Sequence, residues 1–306
     1  KINQESLKLS IGETLSAPRW ALAFKWAGKK GRTTIRHYQM QVSRFHKVTP
    51  VALIDPLLLG GSTIQRVTAH NFEFIRRHHL TPGASIMIEL VGDAIPKISA
   101  TSLPQPLSLE ALRDVFPQDM YNAQNDHLVC PCSKRAPLEM RLDESDAVQV
   151  CCTAGEQCQQ ALIEQVVHFA SRKAMNIGGL GRKSVQLLIE NQLITKLSDL
   201  LSLHEKRDQL LALPRYGEKK VDNLLTSVTQ ALHTLKKNNP HQFQIQLWLA
   251  LGIANIGKSA AQRIVSTLDQ INGDQILHNL SQVESVLGPK EYQSLSTWWS
   301  SESNQE

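Results

Sequence analysis

The stretch Ile177-Gly178-Gly179-Leu180-Gly181-Arg182-Lys183 decides how this chain is read. A short glycine-rich turn runs straight into a helical pattern carried by Val185, Leu187, Leu188 and Ile189. Glycine tolerates positive φ and lets another backbone come close. A helix that starts at such a turn points its first free N–H groups, and the positive end of its dipole, out of the turn. Arg182 and Lys183 add charge at the same place, and the combination suits a phosphate. A single glycine turn before a helix is more often a plain connection, so the reading depends on repetition.

The form does repeat. Leu213-Pro-Arg-Tyr-Gly217-Glu-Lys219-Lys220 precedes Val221, Leu224, Leu225 and Val228. Leu251-Gly-Ile-Ala-Asn-Ile-Gly257-Lys258 precedes Ala260, Ala261, Ile264 and Val265, and Val286-Leu-Gly288-Pro-Lys290 is a weaker copy before Tyr292 and Leu295. One supersecondary unit recurring at a roughly even spacing marks a tandem array. The expectation is a run of helix-hairpin-helix units over 161–297. Gly178, Gly181, Lys183, Gly217, Lys219, Lys220, Gly257, Lys258 and Gly288 would hold a nucleic-acid backbone without reading its sequence. The alternative is a helical bundle whose turns merely reverse the chain.

The totals bound the rest. The chain has 306 residues, enough for two or three domains, and 42% hydrophobic residues predict packed cores. No apolar run approaches the ~20 residues a membrane span needs, which excludes a helical membrane protein. The N-terminus has neither an initiator Met nor a signal-peptide pattern, and reads as a piece of a longer chain. Net charge is only +5, but no Asp or Glu occurs from Thr14 to Ile54, where Arg19, Lys25, Lys29, Lys30, Arg32, Arg36, Arg44 and Lys47 lie. A one-sign stretch of that length predicts a polyanionic partner. The cysteines all fall between Cys130 and Cys158, which predicts a metal site in a reducing compartment rather than a secreted disulfide framework.

Along the chain, Trp20-Ala-Leu-Ala-Phe-Lys25-Trp26 alternates as a strand does. Ile35–Val42, Val48–Ile54, Thr63–Thr68 and Ser85–Val91 are short β-type runs separated by Gly60-Gly61-Ser62 and Thr81-Pro82-Gly83, with a helix over 71–79. Five or so short strands with one helix predict a small closed barrel of the OB type. Pro104, Pro106 and Pro117 make 98–129 a linker around a short helical segment, 109–115. Cys130, Cys132, Cys152 and Cys158 are the candidate tetrahedral zinc ligands, with Cys151 or His127 as substitutes. The competing reading is a degenerate site whose cysteines pack as small hydrophobes. The tail, 300–306, is polar and expected to be disordered.

Together these stretches resemble one family, the bacterial NAD-dependent DNA ligases. Pro18-Arg-Trp-Ala-Leu-Ala-Phe-Lys25 is similar to that family's last nucleotidyltransferase motif. Thr49-Pro-Val-Ala-Leu53, Arg66-Val-Thr-Ala-His70-Asn71 and Val91-Gly-Asp-Ala-Ile-Pro96 resemble its OB signatures. The cysteine cluster stands where the family has a zinc module, and His168 to Gly181 resembles the opening of its helix-hairpin-helix domain. There are departures. No Lys-x-Asp-Gly motif occurs, the Gly-Arg-Thr-Gly loop appears as Ser43-Arg44-Phe45-His46, and Cys130 and Cys132 have only one residue between them. No BRCT domain follows the repeats, and this together with the shortened cysteine pair resembles the shorter, B-type ligases or a chain truncated at both ends.

The resemblance implies an α+β multidomain chain. It would comprise the end of the nucleotidyltransferase domain (1–28), an OB-fold barrel (29–100), a linker and cysteine module (101–160), an all-α tandem helix-hairpin-helix domain (161–297) and a tail (298–306). It implies sealing of nicks in duplex DNA: a lysine takes AMP from NAD, AMP passes to the 5′-phosphate, and the 3′-hydroxyl displaces it. Lys25 and Lys1 would meet the nucleotide phosphate, and Arg44 and Arg66 the duplex backbone. NAD, magnesium and structural zinc would be the cofactors. Nicked duplex DNA would be the partner of a monomer in the bacterial cytoplasm, near the nucleoid. Without its adenylated lysine this chain would be inactive alone. The competing function is a non-catalytic DNA-binding or repair scaffold. A nuclease subunit would need a carboxylate cluster, which the sequence does not show.

Overall fold

The computed structural model describes residues 1–14, 17–24, 27–92, 94–99, 105–122, 127–132, 134–143, 147–231, 237, 239–269 and 283–300. The chain divides into two compact units, Lys1–Gln39 with Pro50–Pro117, and Met40–Thr49 with Gln118–Glu306.

The first unit is built on a closed five-stranded barrel. Its strands are β1 (Lys30–Val42), β2 (Val48–Leu59), β3 (Ser62–Thr68), β4 (Ser85–Val91) and β5 (Ile95–Ser99), in the order β1-β2-β3-β5-β4. Ile35, Tyr38, Val67, Ile88 and Ile98 are buried; along β1 the period of two runs through Thr33 and Ile35, shifts by one residue at Arg36-His37, and resumes through Tyr38, Met40 and Val42. The barrel closes where β5 runs parallel to β3, Thr68 opposite Lys97, and antiparallel to β4. Sequence periodicity passes over β5 because Pro96 lacks the N–H of a ladder residue, yet it lies opposite Leu90. A short helix, α1 (Glu5–Ile11), buries none of its residues, whereas α2 (Phe72–His78) buries Phe72 and Ile75. The Asn71 side chain caps α2 by accepting from the Phe74 N–H at 2.7 Å. Buried Glu73 is met by Arg76 at 2.9 Å and by Arg77 at 2.5 Å.

Three expectations change here. Residues 20–24 form no strand, and Leu22 and Phe24 are exposed. The stretch 105–117 is not a free tether: Leu112, Val115 and Phe116 are buried, and Phe116 stacks on Phe72 at 4.9 Å. The acid-free basic stretch does not remain acid-free in space. Strand pairing brings Glu89 to within 3.4 Å of Lys30, and Arg36 pairs with Asp55, one residue beyond the stretch. A one-dimensional charge count misses such cross-strand partners.

Gly28 shows why one glycine before β1 is needed. A Cβ there would fall 2.0 Å from the Leu90 carbonyl oxygen. The next residue, Lys29, accepts the Leu90 N–H at 2.9 Å, so the two backbones have no room to part. Gly28→Ala is expected to lower stability by about 1–3 kcal/mol, the usual cost of overpacking, in urea unfolding of the barrel.

The second unit opens with two small ribbons. β6 (Tyr121–Asn122) pairs with β7 (His127–Leu128), and β8 (Leu138–Leu142) pairs with β9 (Val148–Cys152). The helices follow: α3 (Gln159–Ala170), α4 (Arg182–Glu190), α5 (Arg207–Leu211), α6 (Glu218–Thr229), α7 (Pro240–Leu251), α8 (Lys258–Asp269) and α9 (Pro289–Trp299). They bury two separate cores. One gathers Val166, Val185, Leu188, Val221 and Leu224, and the other Ile245, Trp248, Ile264, Val265 and Leu295. The helical array is therefore two successive pairs of turns, each pair with its own apolar centre.

Candidate nucleic-acid interface and metal centre

The glycine turns share one backbone logic. Gly181 and Gly217 are the N-caps of α4 and α6, in extended conformation with φ, ψ of −72°, 161° and −83°, 166°. Gly257 accepts the first intrahelical bond of α8, from the Ala261 N–H at 2.9 Å, as Gly181 does from Val185 at 3.0 Å and Gly217 from Val221 at 3.1 Å. The left-handed residue lies two positions earlier in each: Gly179 (φ 87°), Arg215 (φ 66°) and Asn255 (φ 62°). Positive φ is therefore not what the closing glycines supply. An added Cβ at Gly181, Gly217 or Gly257 meets no atom within 4 Å, so packing within the chain does not require glycine either. What a side chain there would obstruct is approach from solvent to the helix's first N–H groups.

Lys183, Lys219, Lys220 and Lys258 are exposed beside these openings, and Lys220 lies over the Tyr216 ring at 3.6 Å. Arg182 is instead paired with Glu164. Each first turn of a pair leans on the last helix of that pair: Gly178 donates its N–H to Ser227 Oγ at 2.7 Å, and Asn255 Nδ2 donates to Ser294 Oγ at 2.8 Å. The fourth turn differs. Gly288 has the extended cap geometry, but Glu291 Oε2 accepts the Gly288 N–H at 2.7 Å and also pairs with Arg263. This turn therefore carries a carboxylate of the chain at its N-cap.

The four cysteines expected as ligands come together. One ligand atom from each of Cys130, Cys132, Cys152 and Cys158 lies within 4.8 Å of every other, and all four residues are buried. Thiolates about 2.3 Å from a tetrahedral ion lie about 3.8 Å apart. The Cys130 and Cys158 sulfurs are 3.9 Å apart, so the donor set fits a zinc-sized ion. Cys158 caps α3, and its thiol is held well below the usual range, first by a hydrogen bond with Cys130 and also by bonds with His46 and the Ala161 backbone. That bond and burial raise Cys130. Cys151 is not in the cluster, because strand alternation turns it away from its buried neighbour Cys152, and neither is the exposed His127.

The other expected site residues are scattered. Arg66 is exposed on β3 and donates to Gln39 Oε1 at 2.7 Å. Lys1 is exposed at the chain's start, and Lys25 lies outside the described residues.

Comparison with known proteins agrees with this arrangement. Residues 32–105 match the family model of the NAD-dependent DNA ligase OB-fold domain. DNA ligases from Acetivibrio thermocellus and Magnetococcus marinus are 32% and 34% identical over 272 and 264 residues, covering 89% and 85% of this chain. The DNA ligase of Symbiobacterium thermophilum is 32% identical over 303 residues, 98% of this chain. This chain belongs to the NAD-dependent DNA ligase family. It spans 37%, 31% and 41% of the length of those three relatives. Among the described residues, no helix is long and apolar enough to cross a membrane.

In this member of the ligase family, Arg44 is not a free surface cation. It lies at the tip of the β1–β2 hairpin, half-buried, with its guanidinium 4.3 Å from the Phe45 ring centroid and its Nε 3.5 Å from the Gly252 carbonyl. The family resemblance assigns Arg44 to the duplex backbone, and nothing in the sequence joins residue 44 to residue 252. Gly252 is the left-handed C-cap of α7, and a Cβ there would come within 2.8 Å of the His168 ring and 3.2 Å of Arg44 Nε. His168 Nε2 donates to the Leu249 carbonyl at 2.8 Å, so two basic groups cover the negative end of one helix. Sequence reasoning misses His168 as a structural residue, for no local pattern marks it.

Burial pushes the His168 imidazole down, the Leu249 hydrogen bond opposes this, and Arg44's charge reinforces it. A base with a lowered folded-state pKa binds its proton first in the unfolded chain. Its stabilising effect is full above the ordinary value of about 6.5 and declines as pH falls below it. The helical unit is therefore expected to lose thermal stability more steeply from pH 7 to pH 5 than a His168→Gln variant does, as read by its unfolding midpoint.

Proposed function

We propose that this chain supplies the DNA-gripping part of an NAD-dependent nick-sealing reaction. The observation that carries the reading is the set of three helix N-termini left open by Gly181, Gly217 and Gly257, each with exposed lysine beside it. Helix N-terminal amides and lysines together bind successive backbone phosphates, positioning a duplex without reading it. The two pairs of turns act as tandem helix-hairpin-helix modules, and the barrel as a further duplex-binding surface, with Arg66 available on its strand β3. Nucleotidyl transfer depends mostly on positioning and on neutralising phosphate charge, which bound DNA, lysines and magnesium supply. The four cysteines hold structural zinc, which staples a segment with little core of its own.

No lysine in the sequence is followed by x-Asp-Gly, so the test supplies an adenylation domain of the family with NAD, magnesium and a labelled nicked duplex. Expected are salt-steep binding by this chain and sealing that depends on its presence. Binding in which neither a mixture nor a covalent fusion seals the nick would indicate a repair scaffold. No binding to nicked or intact duplex at any salt would overturn the reading.

A further inference from the structure

The first glycine turn has an inner and an outer side. Gly178 donates its N–H to Ser227 Oγ at 2.7 Å, and a Cβ added at Gly178 would come within 3.4 Å of that oxygen. One added at Gly179 would come within 3.4 Å of Leu224 Cδ1. Leu224 and Ser227 both belong to α6, at a spacing that puts them on one face of it. Gly178 and Gly179 are thus seated on α6, whereas a Cβ at Gly181 meets no atom within 4 Å. On its other side the turn is held by α3, whose Ala170 carbonyl accepts the Ile177 N–H at 2.9 Å. Helix α6 itself begins at the second open glycine, Gly217. Ser227 lies about 15 Å further along the axis, at ~1.5 Å per residue. One helix therefore opens its own N-terminus to solvent at one end and grips the preceding turn near the other. The second pair is built likewise: Ser294 on α9, the helix that begins at Gly288, accepts from Asn255 Nδ2 of the third turn at 2.8 Å.

We propose that Ser227 is a positioning residue for DNA binding: its hydroxyl, by accepting the Gly178 N–H, locks the first turn onto α6, so that the helix starts at Gly181 and Gly217 meet the duplex as one unit of fixed spacing. The inference rests on the reading of the open helix starts as phosphate sites. Phosphates of one duplex have fixed neighbours. A second contact therefore forms without further ordering only where the first contact already sets its place. Ser227 acts through Gly178 and carries no charge of its own. Helix propensity alone favours alanine at this position, so what the serine adds is its hydroxyl.

Affinity for a nicked duplex over a salt series is measured on the whole chain, for the natural sequence, Ser227→Ala, Ser227→Thr and Ser227→Val, with the unfolding midpoint of each recorded alongside. Expected for Ser227→Ala is the loss of one phosphate contact: a salt slope lower by about 0.9 and binding about 5-fold weaker at 0.15 M salt. Ser227→Thr, which keeps a hydroxyl, should bind as the natural chain does, and Ser227→Val, its match in size, as Ser227→Ala does. A double-mutant cycle locates the effect. Beside Lys183→Ala, which removes charge from the first turn, Ser227→Ala should cost little more than Lys183→Ala alone. Beside Lys219→Ala, at the start of α6 itself, the two losses should add. If the natural chain binds no duplex, the phosphate reading fails, and this inference with it. If it binds with a steep salt slope but folded Ser227→Ala keeps both affinity and slope, the inference alone is overturned. Losses that simply add in the Lys183→Ala background also overturn it, as does Ser227→Thr binding no better than Ser227→Val. Should Ser227→Ala fail to fold, the comparison of Ser227→Thr with Ser227→Val still decides.

Discussion

Removing the metal, or replacing Cys132 with Ser, is expected to unfold the segment from Cys130 to Cys158 while the barrel stays intact. The reason is the size of the local core. Beside the four cysteines, the described residues of that segment bury only Val148 and Val150, with Val42 and Ala161 packed on the sulfur cluster. Burying these few small side chains contributes about 5–9 kcal/mol at most. A structural zinc site contributes apparent values of about 10–16 kcal/mol at neutral pH, as much as or more than a typical domain's whole stability. Without the ion, four thiols converge with few strong partners, and the charge that Cys158 favours has no cation to balance it. Limited proteolysis with and without chelator reads the outcome directly. New cleavage is expected between 130 and 158, with the barrel resistant because its core, including Tyr38 hydrogen-bonded to the Leu80 carbonyl, lies in the other unit. If Cys132→Ser binds no zinc yet resists protease as the natural chain does, the cysteines are merely a small hydrophobic cluster.

How far the sequence foretells this structure depends on how local each feature is. The helix starts at Gly181, Gly217, Gly257 and Gly288 are local: a glycine, a basic residue and a 3.6-residue apolar period lie within a dozen positions. Helix α2 is legible for the same reason, since Asn71 caps it three residues before the N–H it accepts. The cysteine cluster is legible from chemistry, because soft thiolates gathered in one short segment form a ready donor set for a soft or borderline cation. The hidden features are non-local. Arg44 meets Gly252, Arg36 meets Asp55, and the His46 carbonyl meets the Cys152 N–H only after the barrel and helices are assembled. Strand β5 is obscured by Pro96, whose missing N–H argues locally against the ladder it joins. The glycines show a subtler limit. Sequence allows positive φ at any glycine of the turn, whereas the structure puts it two residues before the closing glycine, on Gly179, Arg215 and Asn255.

That shift sharpens the second large effect. Replacing Lys183, Lys219 and Lys258 together by Ala is expected to weaken duplex binding by ~10²-fold at 0.15 M salt and to lower the slope of log affinity against log salt by about 2.7. Each phosphate contact releases about 0.9 counterion from B-DNA, so three contacts account for both numbers. The fold should be unaffected, because all three side chains are exposed and surface changes of this kind usually stay within about 0.5 kcal/mol. Lys220 is left in place because it is stacked on Tyr216, and its removal would disturb packing as well as charge. Lys290→Ala is the informative control. It follows a closing glycine as the others do, but Glu291 already accepts the Gly288 N–H, so its removal should change the slope far less than one contact's worth. Titration of nicked and intact duplex over a salt series measures both variants. An unchanged slope in the triple variant would mean that the open turns only reverse the chain. An equal loss in Lys290→Ala would mean that charge alone, without a free helix N-terminus, accounts for binding.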